Sequence, residues 1–120
     1  MIIKDVISSV EKLRPGSMMS EEEYFSCINR LEELIYGNII SRYENTAKFD
    51  RHTDDSDTLL VPDMYGALYR HFLLAEIDLR NGDITRYTNN MILYNGMLSD
   101  FFDYCIRTRI PKQYGKVRWR

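Results

Sequence analysis

Three residues, Asn81-Gly82-Asp83, constrain this 120-residue chain more than any other feature. They separate two apolar registers, one opening at Leu60-Val61-Pro62 and one running from Ile84 towards Arg107. Glycine after asparagine ends a helix through the left-handed region, and the aspartate can cap the helix that follows. A break this short makes the two helices pack as an antiparallel hairpin.

The hairpin's first helix is expected to begin near Pro62, where a missing N–H needs no partner. Tyr65, Leu68, Phe72, Ala75 and Leu79 form its main stripe, and Leu74 with Ile77 forms a second row. A helix apolar on more than one side sits centrally, or faces both its own core and another subunit. In the second helix Ile84, Tyr87, Met91, Tyr94, Leu98, Phe101 and Cys105 recur at three- and four-residue steps, over roughly 36 Å of helix. Isolated glycines at 66 and 96 suggest close helix approach, since each costs up to ~1 kcal/mol relative to alanine.

Two further helices precede the hairpin. Ile3, Val6, Val10 and Leu13 give one stripe over about residues 2–13, stopped by Arg14-Pro15-Gly16. Ser20 and Glu23 can form a capping box, Glu21 and Glu22 favour the helix N-terminus, and Met19 and Tyr24 occupy staple positions. Tyr24, Ile28, Leu31, Ile35 and Ile39 carry this helix to about Tyr43. Residues 44–58 lose the periodicity and read as a polar surface loop, with His52 and an acidic run in it.

The expectation is therefore an all-α fold: a small antiparallel bundle of about four helices over residues 1–106, and an extended C-terminal tail over 107–120. A chain this long buries roughly two thirds of its unfolded surface. No run approaches the ~18 apolar residues of a membrane span, and no signal peptide is apparent, so a soluble, cytosolic protein is expected. Cys27 and Cys105 fall on apolar helix faces, where a reduced thiol fills core space.

Motifs that would carry chemistry are missing. His52 and His71 are the only histidines, and neither has a partner at zinc-ligand spacing. Asp50, Asp54, Asp55 and Asp57 lack the alternating ligands, central glycine and terminal glutamate of a calcium loop. Glu21-Glu22-Glu23 reads as dipole partners. No nucleophile elbow or phosphate-cradling glycine cluster occurs. Neither catalysis, nor a metal, nor a cofactor is expected.

Charge is sharply divided. Residues 107–120 carry six cations and no acid, so the remaining ten basic and eighteen acidic residues leave the body at −8 under a tail of +6. Arg107, Arg109, Lys112, Lys116, Arg118 and Arg120 are interleaved with Ile110, Tyr114, Val117 and Trp119. A frayed terminus is the plain reading. The sole tryptophan lies outside the core, however, and Trp with Arg commonly anchors interfaces, which favours partner docking. Gly115 before Lys116-Val117-Arg118-Trp119 could let a strand add to a partner's sheet. Direct DNA contact is a weaker alternative, because six cations are few and the body repels phosphate. Among the aromatics, Tyr36, Tyr43, Tyr69 and Tyr104 stand outside the core stripes. With Leu74 and Ile77 they are candidates for a subunit interface, though a place at the core's edge is the plain reading for any single tyrosine.

Over residues 59–111 the chain resembles the head-completion adaptors of tailed phages. The residues that carry the likeness are the Leu-Val-Pro opening with Tyr65, Leu68 and Tyr69, then Ala75, Ile77 and Asp78. Asn81-Gly82, Arg86-Tyr87, Asn89-Asn90, Tyr94-Asn95, Arg107-Thr108 and Pro111 follow. The resemblance implies a non-enzymatic virion protein, assembled in the host bacterial cytoplasm into a homo-oligomeric ring, commonly twelvefold, at the head–tail interface. Its partners would be the portal, with the tail reaching into it, and a stopper or tail-completion protein. DNA would transit the channel without specific binding, which an acidic body suits. A small helical nucleic-acid-binding or regulatory interaction module is the alternative.

Overall fold

A computed structural model describes residues 1–16, 19–44 and 48–111. Four α-helices carry it: α1 (Ile3–Leu13), α2 (Glu21–Asn38), α3 (Ala67–Arg80) and α4 (Ile84–Thr108), with single 3-10 turns at Ile40–Arg42 and Asp63–Tyr65. No strand forms among the described residues, only isolated antiparallel bridges between Ile2 and Thr58 and between Tyr43 and Pro111. The fold is all-α, as expected.

The hairpin forms for the expected reasons. Gly82 takes φ +76°, the Asp83 N–H donates to the Asp78 carbonyl, and the Asp83 side chain accepts from Arg86 N–H. The most extensive helix packing in the protein is α3 against α4. Helix α3 is central: Leu68, Tyr69, Leu73, Leu74, Ala75, Ile77 and Asp78 are all buried. Its buried face is thus turned from the expected stripe. Leu79 is 48% exposed, while Tyr65 and Phe72 are half-buried against Phe101 and Tyr94.

Two helix boundaries differ from the sequence reading. Pro62 is extended (ψ 159°), and the Asp63–Tyr65 turn and Gly66 intervene before α3 starts at Ala67. Helix α2 stops at Asn38, not near Tyr43. Gly37 and Asn38 weaken its last turn, the Ser41 hydroxyl donates to the Gly37 carbonyl, and a 3-10 turn then buries Ile40. The start of α2 is as expected, with both halves of the Ser20–Glu23 capping box present. Tyr24, Ile28, Leu31, Ile35 and Ile39 are buried, as are Ile3, Val6 and Val10 of α1; Leu13 points outwards.

The glycines do not mark close helix approach. A Cβ at Gly96 would meet open space, and one at Gly66 would meet the Met1 side chain at 2.7 Å. Both cysteines are free and buried, and burial pushes both thiols up.

Candidate functional site

Residues Lys112, Tyr114, Lys116, Val117, Arg118, Trp119 and Arg120, expected to dock a partner, lie outside the described residues. The root of that segment is described. Helix α4 continues through Arg107 to Thr108, so the expected boundary at residue 106 falls inside the helix. Arg107 is exposed and Arg109 half-exposed, beside Ile106 (54% exposed) and Ile110 (62%). After the helix the chain turns back onto the body. Glu44 N–H donates to the Ile110 carbonyl at 2.8 Å, and Pro111 pairs with Tyr43. The basic segment therefore departs from a fixed point at the free end of the longest helix.

The six residues expected at a subunit interface are not a surface. Tyr69, Leu74, Ile77 and Tyr43 are buried in the chain's own core. Tyr36 and Tyr104 are half-buried, Tyr36 beside Phe49 and Tyr104 against Tyr65 and Phe101. Tyr69, Leu74 and Ile77 are covered because α3 is enclosed by α4 on one side and by α1 and α2 on others, and Tyr43 because the chain after α4 folds back onto it at Pro111.

Exposed apolar surface lies elsewhere. Ile84, Ile92, Leu93, Ile106 and Ile110 are each more than half exposed, and all belong to α4 or its exit. Beside them, Asn38, Ile39 and Arg42 form one wall, and Asn95, Leu98, Ser99 and Phe102 the other, of an open groove of about 440 Å³. Of the expected core stripe of α4, Tyr94, Phe101 and Cys105 bury and Met91 and Leu98 pack half-buried against the same core, while Ile84 is 60% exposed.

Two buried polar networks also went unread. Glu32, fully buried, accepts from the Tyr69 hydroxyl at Oε1 and from Leu60 N–H at Oε2, 3.0 Å away; His52 Nε2 lies 2.9 Å from the same Oε2. The Tyr69 oxygen in turn accepts from Val61 N–H, and Asn29 bonds both backbone groups of His52. The supposed solvated loop is therefore latched to α2 and α3. Its carbonyls at Asp55 and Asp57 also accept from Lys4 and Ile3 N–H, closing the start of α1. In the second network Asp78, 1% exposed, takes a bidentate contact from Arg14 at 2.8 and 2.9 Å and a bond from Asn90. His71 Nδ1, on a half-buried ring, lies 3.1 Å from the Asn90 side-chain oxygen. The sequence signal was an acid at a core register: Glu32 follows Ile28 by four residues, and Asp78 follows Leu74 by four.

These networks saturate their own carboxylates and tie elements together; they leave no open coordination position. The acidic loop likewise satisfies itself, with Asp57 accepting from Thr53 and Asp54 N–H and Asp54 held low by its bonds from Ser56. Among the described residues no cluster of three or more His, Cys, Asp or Glu is placed to hold a metal ion. No helix among them is long and apolar enough to cross a membrane. Comparison with protein-family models, with curated proteins and with solved structures finds no match in any of the three.

Proposed function

We propose that this protein is a non-enzymatic head–tail adaptor, joining a phage portal to the stopper or tail-completion protein as a homo-oligomeric ring through which DNA passes. The reading rests on the resemblance over residues 59–111 and on one geometric observation. The basic, aromatic C-terminal segment starts beside exposed Arg107, Ile106 and Ile110, where Pro111 pairs with Tyr43 and ties the chain to the helical body. A docking arm needs such a root. Anchoring one end lowers the entropy lost when the remaining residues order on a partner. The residues assigned to docking are Arg107 and Arg109 at the root, with Lys112, Tyr114, Lys116, Val117, Arg118, Trp119 and Arg120 beyond it.

Co-sedimentation with the portal encoded in the same genome tests this, using the full chain and a chain ending at Pro111, which keeps the bridge to Tyr43. Migration of the full chain alone is the expected result. If neither chain migrates with the portal, even at low salt, the adaptor reading fails. Tight, salt-sensitive DNA binding lost on truncation would instead support the nucleic-acid-binding module.

A further inference from the structure

The chain leaves α4 after Thr108 and turns back along the body. Glu44 N–H donates to the Ile110 carbonyl, and Pro111 then pairs with Tyr43 in an antiparallel bridge. Because the bridge is antiparallel, the chain passes Glu44 first and Tyr43 second, and at Pro111 it is heading towards Arg42 and Ile39. Those two residues belong to one wall of the groove of about 440 Å³ whose other wall includes Leu98, Ser99 and Phe102 of α4. The basic segment is thus aimed at the groove from the point where it starts. We propose that the groove is the resting seat of the chain's own C-terminal segment, with the Trp119 ring inserted between Ile39 and Phe102.

Length, chemistry and charge select that occupant. Trp119 lies eight residues beyond Pro111, a reach of up to about 26 Å when extended. The α4 wall from Asn95 to Phe102 runs only about 10 Å, so the ring reaches any part of it. Ile39 is buried and closes the floor, while Leu98 and Phe102 pack half-buried on the core and leave their outer edges to the groove. Arg42, the charged residue among those lining it, is exposed. A guanidinium beside an apolar floor favours an aromatic ring, on whose face it can lie, over another cation. Tryptophan is the best such ring, and the sequence holds one. The cations around Trp119 have acids to meet. Glu44 beside the bridge and Asp103 next to Phe102 are both exposed, and the body as a whole carries −8 against the segment's +6. Finally, a tether this short holds the ring near the groove at an effective concentration of about a millimolar. A contact too weak to hold a separate molecule is therefore filled within one chain.

This contact goes beyond the adaptor reading and does not rest on it. A partner that needs Trp119 must first displace it from the groove, so its apparent affinity falls by the fraction of chains whose segment is free. The groove thereby restrains the docking segment until a partner competes for it.

Fluorescence of Trp119 in the full chain tests the proposal, read as the emission maximum and the rate of quenching by acrylamide. Asn95→Lys and Ser99→Lys place a cation in the groove at exposed positions of α4. Asn89→Lys, exposed on another side of the same helix, makes the same change of charge and is the control. Circular dichroism checks that all three fold. The parent and N89K are expected to show blue-shifted emission and several-fold slower quenching than N95K and S99K, whose emission should match that of the urea-unfolded chain. The difference should be the same at every protein concentration. Solvent-exposed emission in the parent would overturn the proposal. So would a shielded Trp119 in both groove variants, exposure in N89K as well, or shielding lost on dilution, which would seat the segment on a second copy. Portal co-sedimentation is scored separately, so its failure leaves the groove result standing.

Discussion

The hydroxyl of Tyr69 donates to the carboxylate of Glu32 across the α2–α3 contact, and neither side chain has any exposure to solvent. This pair joins a helix to a helix and, through His52 and the Leu60 and Val61 N–H groups, joins both to the segment before α3. A buried carboxylate is tolerated only when its lone pairs are filled. Glu32 meets that condition with three partners drawn from three parts of the chain.

Removing one partner of that set should therefore cost more than a surface hydrogen bond. Tyr69→Phe strips a donor from Glu32 and the acceptor of Val61 N–H, for an expected loss of about 1.5–3 kcal/mol. Glu32→Ala leaves the Tyr69 hydroxyl, His52 and Leu60 N–H with no acceptor, at about 3–5 kcal/mol. Urea unfolding followed by circular dichroism reads both. A loss below half a kcal/mol for Tyr69→Phe would mean the contact contributes nothing net.

Alkaline pH should weaken the fold in two steps. Burial raises the Cys27 and Cys105 thiols. Burial, then the Glu32 carboxylate, holds the Tyr69 phenol well above its ordinary value. Each group stays neutral in the fold at a pH where the unfolded chain ionises it. The stability this gives is complete below the unfolded values, about 8.5 for thiols and about 10 for the phenol, and is lost as pH rises past them. The urea midpoint should stay level from neutrality to about pH 8.5, then fall, and fall faster above about pH 10. Replacing both cysteines by alanine should delay the onset to the second step. On the acid side, the Arg80 contact and Ser20 N–H lower Glu23, a contribution present above about pH 4.3 and lost as pH falls. That pair is exposed, so the effect should be small.

The helices were legible because their signals are local. The Asn81-Gly82-Asp83 break and the Ser20–Glu23 box each act within one turn, and both formed as read. The face of α3 was not legible, since a helix packed by neighbours on several sides has no polar side to orient it. Spacing likewise put Ile84 in the core stripe of α4, although at the first turn of that helix it is 60% exposed. Glu32 and Asp78 were hidden because their partners, His52 and Arg14, lie 20 and 64 residues away in the chain. No local pattern links them. The basic C-terminal segment was read from composition alone, and the anchoring of its start at Tyr43 depends on a pairing between residues far apart in sequence.

The Arg14–Asp78 contact ties the end of α1 to α3 and should behave as a buried ion pair. Arg14→Met leaves the Asp78 carboxylate, 1% exposed, with Asn90 as its remaining side-chain donor. The expected loss is about 3 kcal/mol. Arg14→Met with Asp78→Leu removes the charge as well and should recover most of it, since well-packed apolar residues replace such pairs at little cost. A double-mutant cycle in urea reads the coupling. Additive losses would show that the two groups act separately.

Two glycines should respond to alanine in opposite directions. At Gly82 the backbone sits at φ +76°, between the end of α3 and the cap of α4. A Cβ there is strained whatever the space around it, so Gly82→Ala should cost about 1–2 kcal/mol. Gly96 lies within α4, and a Cβ there meets nothing within 4 Å. Gly96→Ala should stabilise by up to about 1 kcal/mol, because the glycine contributes backbone freedom to the unfolded chain and no contact to the folded one. Thermal melts of both variants decide it. If Gly96→Ala destabilises the free chain, position 96 lies against something that a single copy does not contain.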